Sequence, residues 1–268
     1  MILRVQRSSN SRNFNPLSME QKMAEPLKVL IACEFTGTVR REFDALGHDA
    51  WSCDLRRAED GSNRHIVGDV REILTWGWDL LIVAHPPCTR LCNSGVRWLD
   101  DPSKMKNLGE DFTDAERAEW PSLSLEAKRA LMQVKLREGA ALFSDLWNAP
   151  VKRVAVENPV MHKHAKALIR NFQDFTQSVQ PWQFGDFERK RTCLWLRGLP
   201  PLKGIYKSER ECAVALGIDP DTRADNRVHS MGPGEDRSKK RSRFFPSIAR
   251  AMAEQWGGFA LGMQEIAA

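Results

Sequence analysis

Apolar positions along this chain fall into short continuous runs, set apart by polar stretches carrying glycine and proline, a pattern suited to strands buried on both faces of a parallel sheet. The run Leu27 to Cys33, LKVLIAC, is the first expected strand. Glu34-Phe35-Thr36-Gly37 turns it into a helix from Val39 to Leu46, which Gly47-His48 closes. His48 to Leu55 is a second strand ending at Asp54, and His65 to Val70 a third. The fourth, Leu80 to Ala84, stops at Pro86 and Pro87, neither of which can donate a ladder hydrogen bond. Residues 96–121 are polar and irregular, a length of connection expected of a mobile or functional loop. Ser122 to Trp147 carries leucine and alanine at helical spacing, a face fit to cover the sheet. Val151 to Val156 is a fifth strand, with Glu157-Asn158 expected directly after its end. A helix from Met161 to Arg170, with His162 and His164 at its surface, precedes the last strands, Phe175 to Phe184 and Thr192 to Leu196. Pro200 to Arg237 is rich in glycine, proline and charge and is assigned no element, and Phe245 to Trp256 is an amphipathic helix.

Strands alternating with helices predict an α/β fold, a doubly wound and mostly parallel sheet. A length of 268 residues suits one large domain, or a domain with a small appendage. No stretch reaches the roughly eighteen apolar residues of a membrane helix, so no membrane partner is expected. Residues 1–26 are expected as a disordered tail: Met1 to Gln21 is rich in Ser, Asn and Arg and lacks the apolar core of a secretory signal, although its Arg-rich opening faintly echoes a transit peptide. Met19 and Met23 are alternative starts. The six cysteines form no CxxC pair and are read as reduced thiols of a cytoplasmic monomer. Cys88 and Cys92 stand at helical spacing, but no nearby pair completes a tetrahedral set, so no metal is expected. The net charge of +5 is unevenly spread, with Arg237, Lys239, Lys240, Arg241 and Arg243 in one cluster and Arg189, Lys190 and Arg191 in another. Such clusters suit phosphate backbones, and either taken singly also suits a solvated surface.

In open α/β sheets ligands bind outside the carboxyl ends of the strands. Cys88, just past the fourth, is placed there for chemistry, with a buried inert thiol as the alternative. Asp54, ending the second, is placed to hold a ribose hydroxyl.

Pro87-Cys88, then Glu157-Asn158, then Arg189-x-Arg191, following a strand and a Phe35-x-Gly37 turn, resembles the DNA (cytosine-5) methyltransferases over about residues 27–197. The resemblance implies a Rossmann-like S-adenosylmethionine-dependent methyltransferase fold and transfer of a methyl group to carbon 5 of cytosine in DNA. Carbon 5 is a poor nucleophile, so a thiolate first adds to carbon 6. Cys88 would be that nucleophile, and Glu157 the carboxyl that hydrogen-bonds or protonates ring nitrogen 3. Asn158 would support the turn, Arg191 would hold the cytosine oxygen and steady Glu157, and Arg189 would lie nearer the backbone. S-adenosylmethionine is the implied cofactor, with Glu34, Phe35, Thr36, Gly37, Asp54, Asp69, Val70, Pro86 and Pro87 around it. DNA is the implied partner, met by Arg90, Arg97, Lys239, Lys240, Arg241 and Arg243, its target cytosine flipped from the stack. On this reading 27–197 is the catalytic domain, 198–240 a reduced target-recognition or linker segment, and 241–268 a helix completing the catalytic domain.

The chain departs from the family pattern at several points. Thr89 follows the cysteine where the family has Gln, Cys33 replaces the aspartate opening the first motif, Val39 its second glycine, and Phe187 the Gln before the arginines. Alternatives are the same mechanism on single-stranded DNA, RNA or another pyrimidine modification, and a non-catalytic nucleic-acid-binding relative.

Overall fold

The computed structural model describes residues 25–105, 107–226 and 243–262. Seven strands, β1 (Lys28–Ala32), β2 (Asp49–Asp54), β3 (His65–Val67), β4 (Leu80–Val83), β5 (Arg153–Asn158), β6 (Gln177–Val179) and β7 (Thr192–Arg197), join in the order β3-β2-β1-β4-β5-β7-β6. The first five pair in parallel, and β7 runs antiparallel between β5 and β6. This is the α/β, doubly wound and mostly parallel Rossmann-like sheet expected from the sequence. Its strand order reverses between β1 and β4, the switch point where the crevice of a doubly wound sheet opens.

Alternation along each strand feeds two hydrophobic layers. Leu81 and Val83 of β4 and Val154 and Val156 of β5 meet Leu136, Ala140, Phe143 and Leu146 of the long helix α3 (Leu125–Trp147). Leu80 and Ile82 of β4 and Ala155 of β5 face the opposite layer, built by α1 (Thr38–Ala45) and α6 (Pro246–Met252) with its π-helical extension Ala253–Gly257. An eight-residue helix is marginal alone. The side chains of Val39 and Phe43 are fully buried beneath α1, and at about 1.5–3 kcal/mol each they outweigh what propensity lacks. The remaining α-helices among the described residues are α2 (Asp114–Glu119), α4 (Lys163–Lys166), α5 (Glu209–Ala215) and a last turn, Gly258–Ala260.

Boundaries differ from the expected ones where local hydrogen bonding overrides hydrophobic pattern. The third strand stops at Val67, because Asp69 caps a 3₁₀ turn by accepting from Arg71 N–H. β5 starts later and runs through Asn158, so Glu157 and Asn158 lie inside the ladder, opposite Leu194 and Cys193. Pro181 begins a 3₁₀ turn that shortens β6. The connection 96–121 is not irregular: two 3₁₀ turns and α2, held by a Thr113–Glu116 capping box, surround a small core of Met105, Phe112, Trp120 and Met132. The expected helix 161–170 shrinks to α4, and the unassigned stretch after β7 holds α5, capped by Ser208. Among the described residues no helix is long and apolar enough to cross a membrane.

Candidate active site

Chain polarity delivers Cys88 past the end of β4. Leu91 N–H and Cys92 N–H both donate to the Cys88 carbonyl at 3.0 Å, so residues 88–92 form a single helical turn. Gly95 locks its far end: a side-chain carbon there would stand 1.9 Å from the Thr89 carbonyl oxygen. Cys88 is half-buried. A hydrogen bond to Cys92, burial and the charge of Glu157 hold its thiol well above the ordinary range, with Lys190 opposing. Cys92 is buried, its Sγ 3.0 Å from Ser94 Oγ and donating to the Thr89 carbonyl at 3.8 Å.

Glu157 approaches from β5. Burial pushes its carboxyl up to about 7, against the pull of Lys190. Glu157, Lys190 and Thr192 line a narrow cleft with Phe244, Phe245 and Ile248. The expected steadying role of Arg191 is not what the geometry provides, and strand alternation is the reason. Glu157 lies opposite Leu194 of the α1–α6 layer, and Thr192 and Lys190 follow at steps of two toward the same face. Arg191 shares the other face with Cys193: its Nε donates to Ser178 Oγ at 3.1 Å and its guanidinium covers the Phe175 ring at 5.7 Å. Arg189 is also turned away, in a bidentate pair with Glu209 of α5 at 2.7 and 2.5 Å. Asn158 is buried, with Nδ2 donating to the Pro159 carbonyl at 2.9 Å and Oδ1 left without a partner.

The crevice at the ends of β1, β2 and β3 collects Cys33, Asp54 and Asp69, and burial first, then the charges of Asp54 and Asp69, raise the Cys33 thiol. Cys33 holds a left-handed backbone, φ 55°, unusual for a side-chain-bearing residue. Burial raises the Asp54 carboxyl although it accepts Arg56 N–H at 3.0 Å. Asp69 is held below the usual carboxylate range by its bond to Arg71. Gly37 takes φ 69°, and a side-chain carbon there would meet Asp60 Oδ2 at 2.6 Å, so the first turn needs glycine. Glu34 is not open to a cofactor: fully buried, it accepts Val39 N–H at 2.7 Å and Arg40 N–H at 3.2 Å and caps α1. Thr36, buried, reaches its carboxylate at 3.4 Å. Phe35 is buried under the Arg56 guanidinium, 5.0 Å from its ring. Pro86 and Val70 are buried and Pro87 is exposed.

Of the residues expected to meet nucleic acid, Arg90 is turned inward. It is 4% exposed, pairs with Asp111 at 2.7 and 3.0 Å and lies over Phe112. His162, expected at the surface, is buried beneath it and donates Nε2–H to the Arg90 carbonyl at 2.8 Å. Arg97 is exposed over Trp98, and Arg243 pairs with Glu59 at 3.0 Å. Lys239, Lys240 and Arg241 lie outside the described residues.

Sequence reading passed over four residues. Lys190 was visible only as one of three basic neighbours, and strand parity could have singled it out. His85, at the end of β4, stands 5.6 Å from the Phe244 ring with a buried, unpartnered Nε2. Burial and then Lys190 press its pKa down to about 3, so its ring is neutral. Leu55 and Val67, 76% and 54% exposed, put bare apolar surface beside Asp54 and Asp69.

No protein-family model matches the chain, and no curated protein matches it. Among solved structures it is similar to a methyltransferase of Entamoeba histolytica, EhMeth, at 13% identity and a TM-score of 0.38, over 69% of this chain. The match spans 58% of that protein. The fold assignment rests on the strand order and not on this likeness.

Proposed function

We propose that this chain is an S-adenosylmethionine-dependent methyltransferase acting on carbon 5 of cytosine in DNA through a covalent adduct to Cys88. One observation carries the reading: Cys88 from the β4 end and Glu157 from β5 meet electrostatically at one sheet edge, beside Lys190. A thiol for carbon 6 and a carboxyl poised near neutrality for nitrogen 3 are the two groups the chemistry requires. Glu157, with its pKa at about 7, is able to lend a proton as charge reaches nitrogen 3 and take it back afterwards. Lys190 is the cation that takes up the duty expected of Arg191, offering a positive charge toward the cytosine's exocyclic oxygen.

The donor set at the β1–β3 edge fits the cofactor. Asp54 suits ribose hydroxyls, and Leu55 and Val67 offer uncovered apolar surface to a flat ring. When bound, S-adenosylmethionine supplies an electrophilic methyl group on a sulfonium. Flipping would bring a duplex cytosine to Cys88, and the 96–121 segment, joined to Arg56 beside Asp54 by the Arg56–Glu110 pair, would cover it.

DNA carrying 5-fluorocytosine should form a stable covalent complex with the protein in the presence of S-adenosylmethionine, and Cys88→Ser should abolish it. Absence of the complex with duplex DNA, single-stranded DNA and RNA alike would sink the reading. A complex with only one of them names the polymer. Asp54→Ala should weaken S-adenosylmethionine binding about 10- to 100-fold, as loss of a charged hydrogen bond predicts.

A further inference from the structure

Residues 243–247 form a strap across the edge of the sheet, held at both ends and in the middle. At one end Arg243 Nη2 donates to the two carboxylate oxygens of Glu59 at 3.0 and 3.3 Å. Glu59 N–H donates to the Phe35 carbonyl at 2.8 Å, which fixes that anchor on the turn after β1. In the middle Lys190 Nζ donates to the Arg243 carbonyl at 3.4 Å and stands 5.9 Å from the centre of the Phe245 ring, while Phe244 packs on the His85 ring at 5.6 Å. At the far end the N–H and hydroxyl of Ser247 both donate to Asp186. Two observations mark the strap as a moving part. Phe244 and Phe245 wall the cleft around Glu157, which admits no water-sized sphere, so a pyrimidine ring enters it only when a wall moves. Glu157 and Thr192 are fixed in β5 and β7 and Ile248 in α6, whereas residues 243–245 belong to no helix or strand. The closed strap also leaves His85 Nε2 buried without a hydrogen-bond partner, a cost that uncovering it removes. Closure thus rests on weak contacts, and its solvent-exposed end is the pair of Arg243 with Glu59.

We propose that the phosphate backbone of the nucleic-acid substrate opens this strap: a phosphate takes the Arg243 guanidinium from Glu59, residues 243–245 lift from Lys190 and His85, and the base enters the cleft. A phosphodiester offers a guanidinium two anionic oxygens, as the Glu59 carboxylate does, so the two compete for Arg243. This opening rests on the function proposed above, which requires a base beside Glu157. It releases Lys190 from the Arg243 carbonyl only when a polymer has docked, and so ties the cation of the site to the presence of substrate. Pro246, at the first position of α6, and the Asp186 cap of Ser247 keep the helix in place while the strap moves.

Diethyl pyrocarbonate acylates neutral imidazole, and followed at each histidine by peptide mass spectrometry it reads the strap without DNA or cofactor. In the native protein His85 should react at least about tenfold more slowly than the exposed His164. An exposed ion pair biases a two-state equilibrium by about two- to fivefold, so Glu59→Gln and Arg243→Ala should each speed His85 by that factor and leave His164 unchanged. Fluorescence anisotropy with labelled duplex DNA, single-stranded DNA and RNA then separates the two variants. On the polymer that binds, Glu59→Gln should bind about two- to fivefold tighter. Arg243→Ala, which opens the strap but loses the phosphate contact, should bind more weakly, with a salt slope lower by about one. In the Arg243→Ala background Glu59→Gln should gain nothing. A native His85 as reactive as His164, a His85 rate unmoved by Glu59→Gln, a Glu59→Gln gain that persists without Arg243, or failure of all three polymers to bind overturns the strap. Coupled Glu59 and Arg243 effects without the 5-fluorocytosine adduct would leave the strap standing and remove the proposed chemistry, whereas an adduct with independent effects would do the reverse.

Discussion

At the residue scale the chemistry turns on one carboxyl and the cation beside it. Glu157 is lifted from an ordinary 4.5 to about 7, so the native protein holds a proton there that the unfolded chain gives up. Stability from this group is therefore complete below about pH 4.5 and is lost as pH rises toward 7. Glu157→Gln should be no more stable than the native protein at pH 4.5 and more stable at pH 8 by up to about 3 kcal/mol, read from urea unfolding at the two pH values. The same substitution should cost at least about 100-fold in methyl transfer. Lys190→Ala should lower kcat/KM for methyl transfer by about tenfold or more, whereas Arg191→Ala, on the opposite face, should change it less than about threefold. An inverted result would restore the role expected of Arg191. Lys190 was hidden in the sequence because an Arg-Lys-Arg cluster offers three equivalent charges, and only the pairing of Glu157 with Leu194 says which one shares its face.

At the element scale, turns decide what the strand ends present. The turn 88–95 depends on Gly95, whose replacement by alanine sets a carbon 1.9 Å from a carbonyl oxygen. Gly95→Ala should destabilise by about 1–3 kcal/mol in denaturant midpoint, the usual cost of overpacking, and should alter Cys88 alkylation along with it. Glu34 teaches the converse. Its place in the first turn suggested a ligand contact, but the free N–H groups of α1 had the nearer claim on its carboxylate. The 96–121 connection shows the same competition. Its helix begins at a capping box and its small core is scattered in sequence, so hydrophobic period gave little warning of either.

At the scale of the whole molecule, the C-terminal segment closes the site from far along the chain. Asp186 accepts Ser247 N–H at 3.1 Å and Ser247 Oγ–H at 2.6 Å, tying α6 to the turn before β7. Phe244, Phe245 and Ile248 thereby become walls of the cleft around Glu157 and Lys190. Asp186→Ala should cost about 1 kcal/mol as a lost cap, with faster hydrogen exchange confined to α6. Uniformly faster exchange across the sheet would show that Asp186 supports the fold at large rather than this closure.

The succession of strands and helices along the chain, the helix over one face of the sheet and the expectation that Cys88 and Glu157 come to one edge are legible in the sequence, because apolar runs, prolines and chain direction are local and additive. Which basic side chain joins them, which acid caps a helix instead of meeting a ligand, and which arginine is buried against an aspartate were decided only by tertiary structure. Those outcomes depend on strand parity and on hydrogen bonds between residues far apart in the chain, as Arg90 and Asp111 or Asp186 and Ser247 are, and no pattern along the sequence carries them.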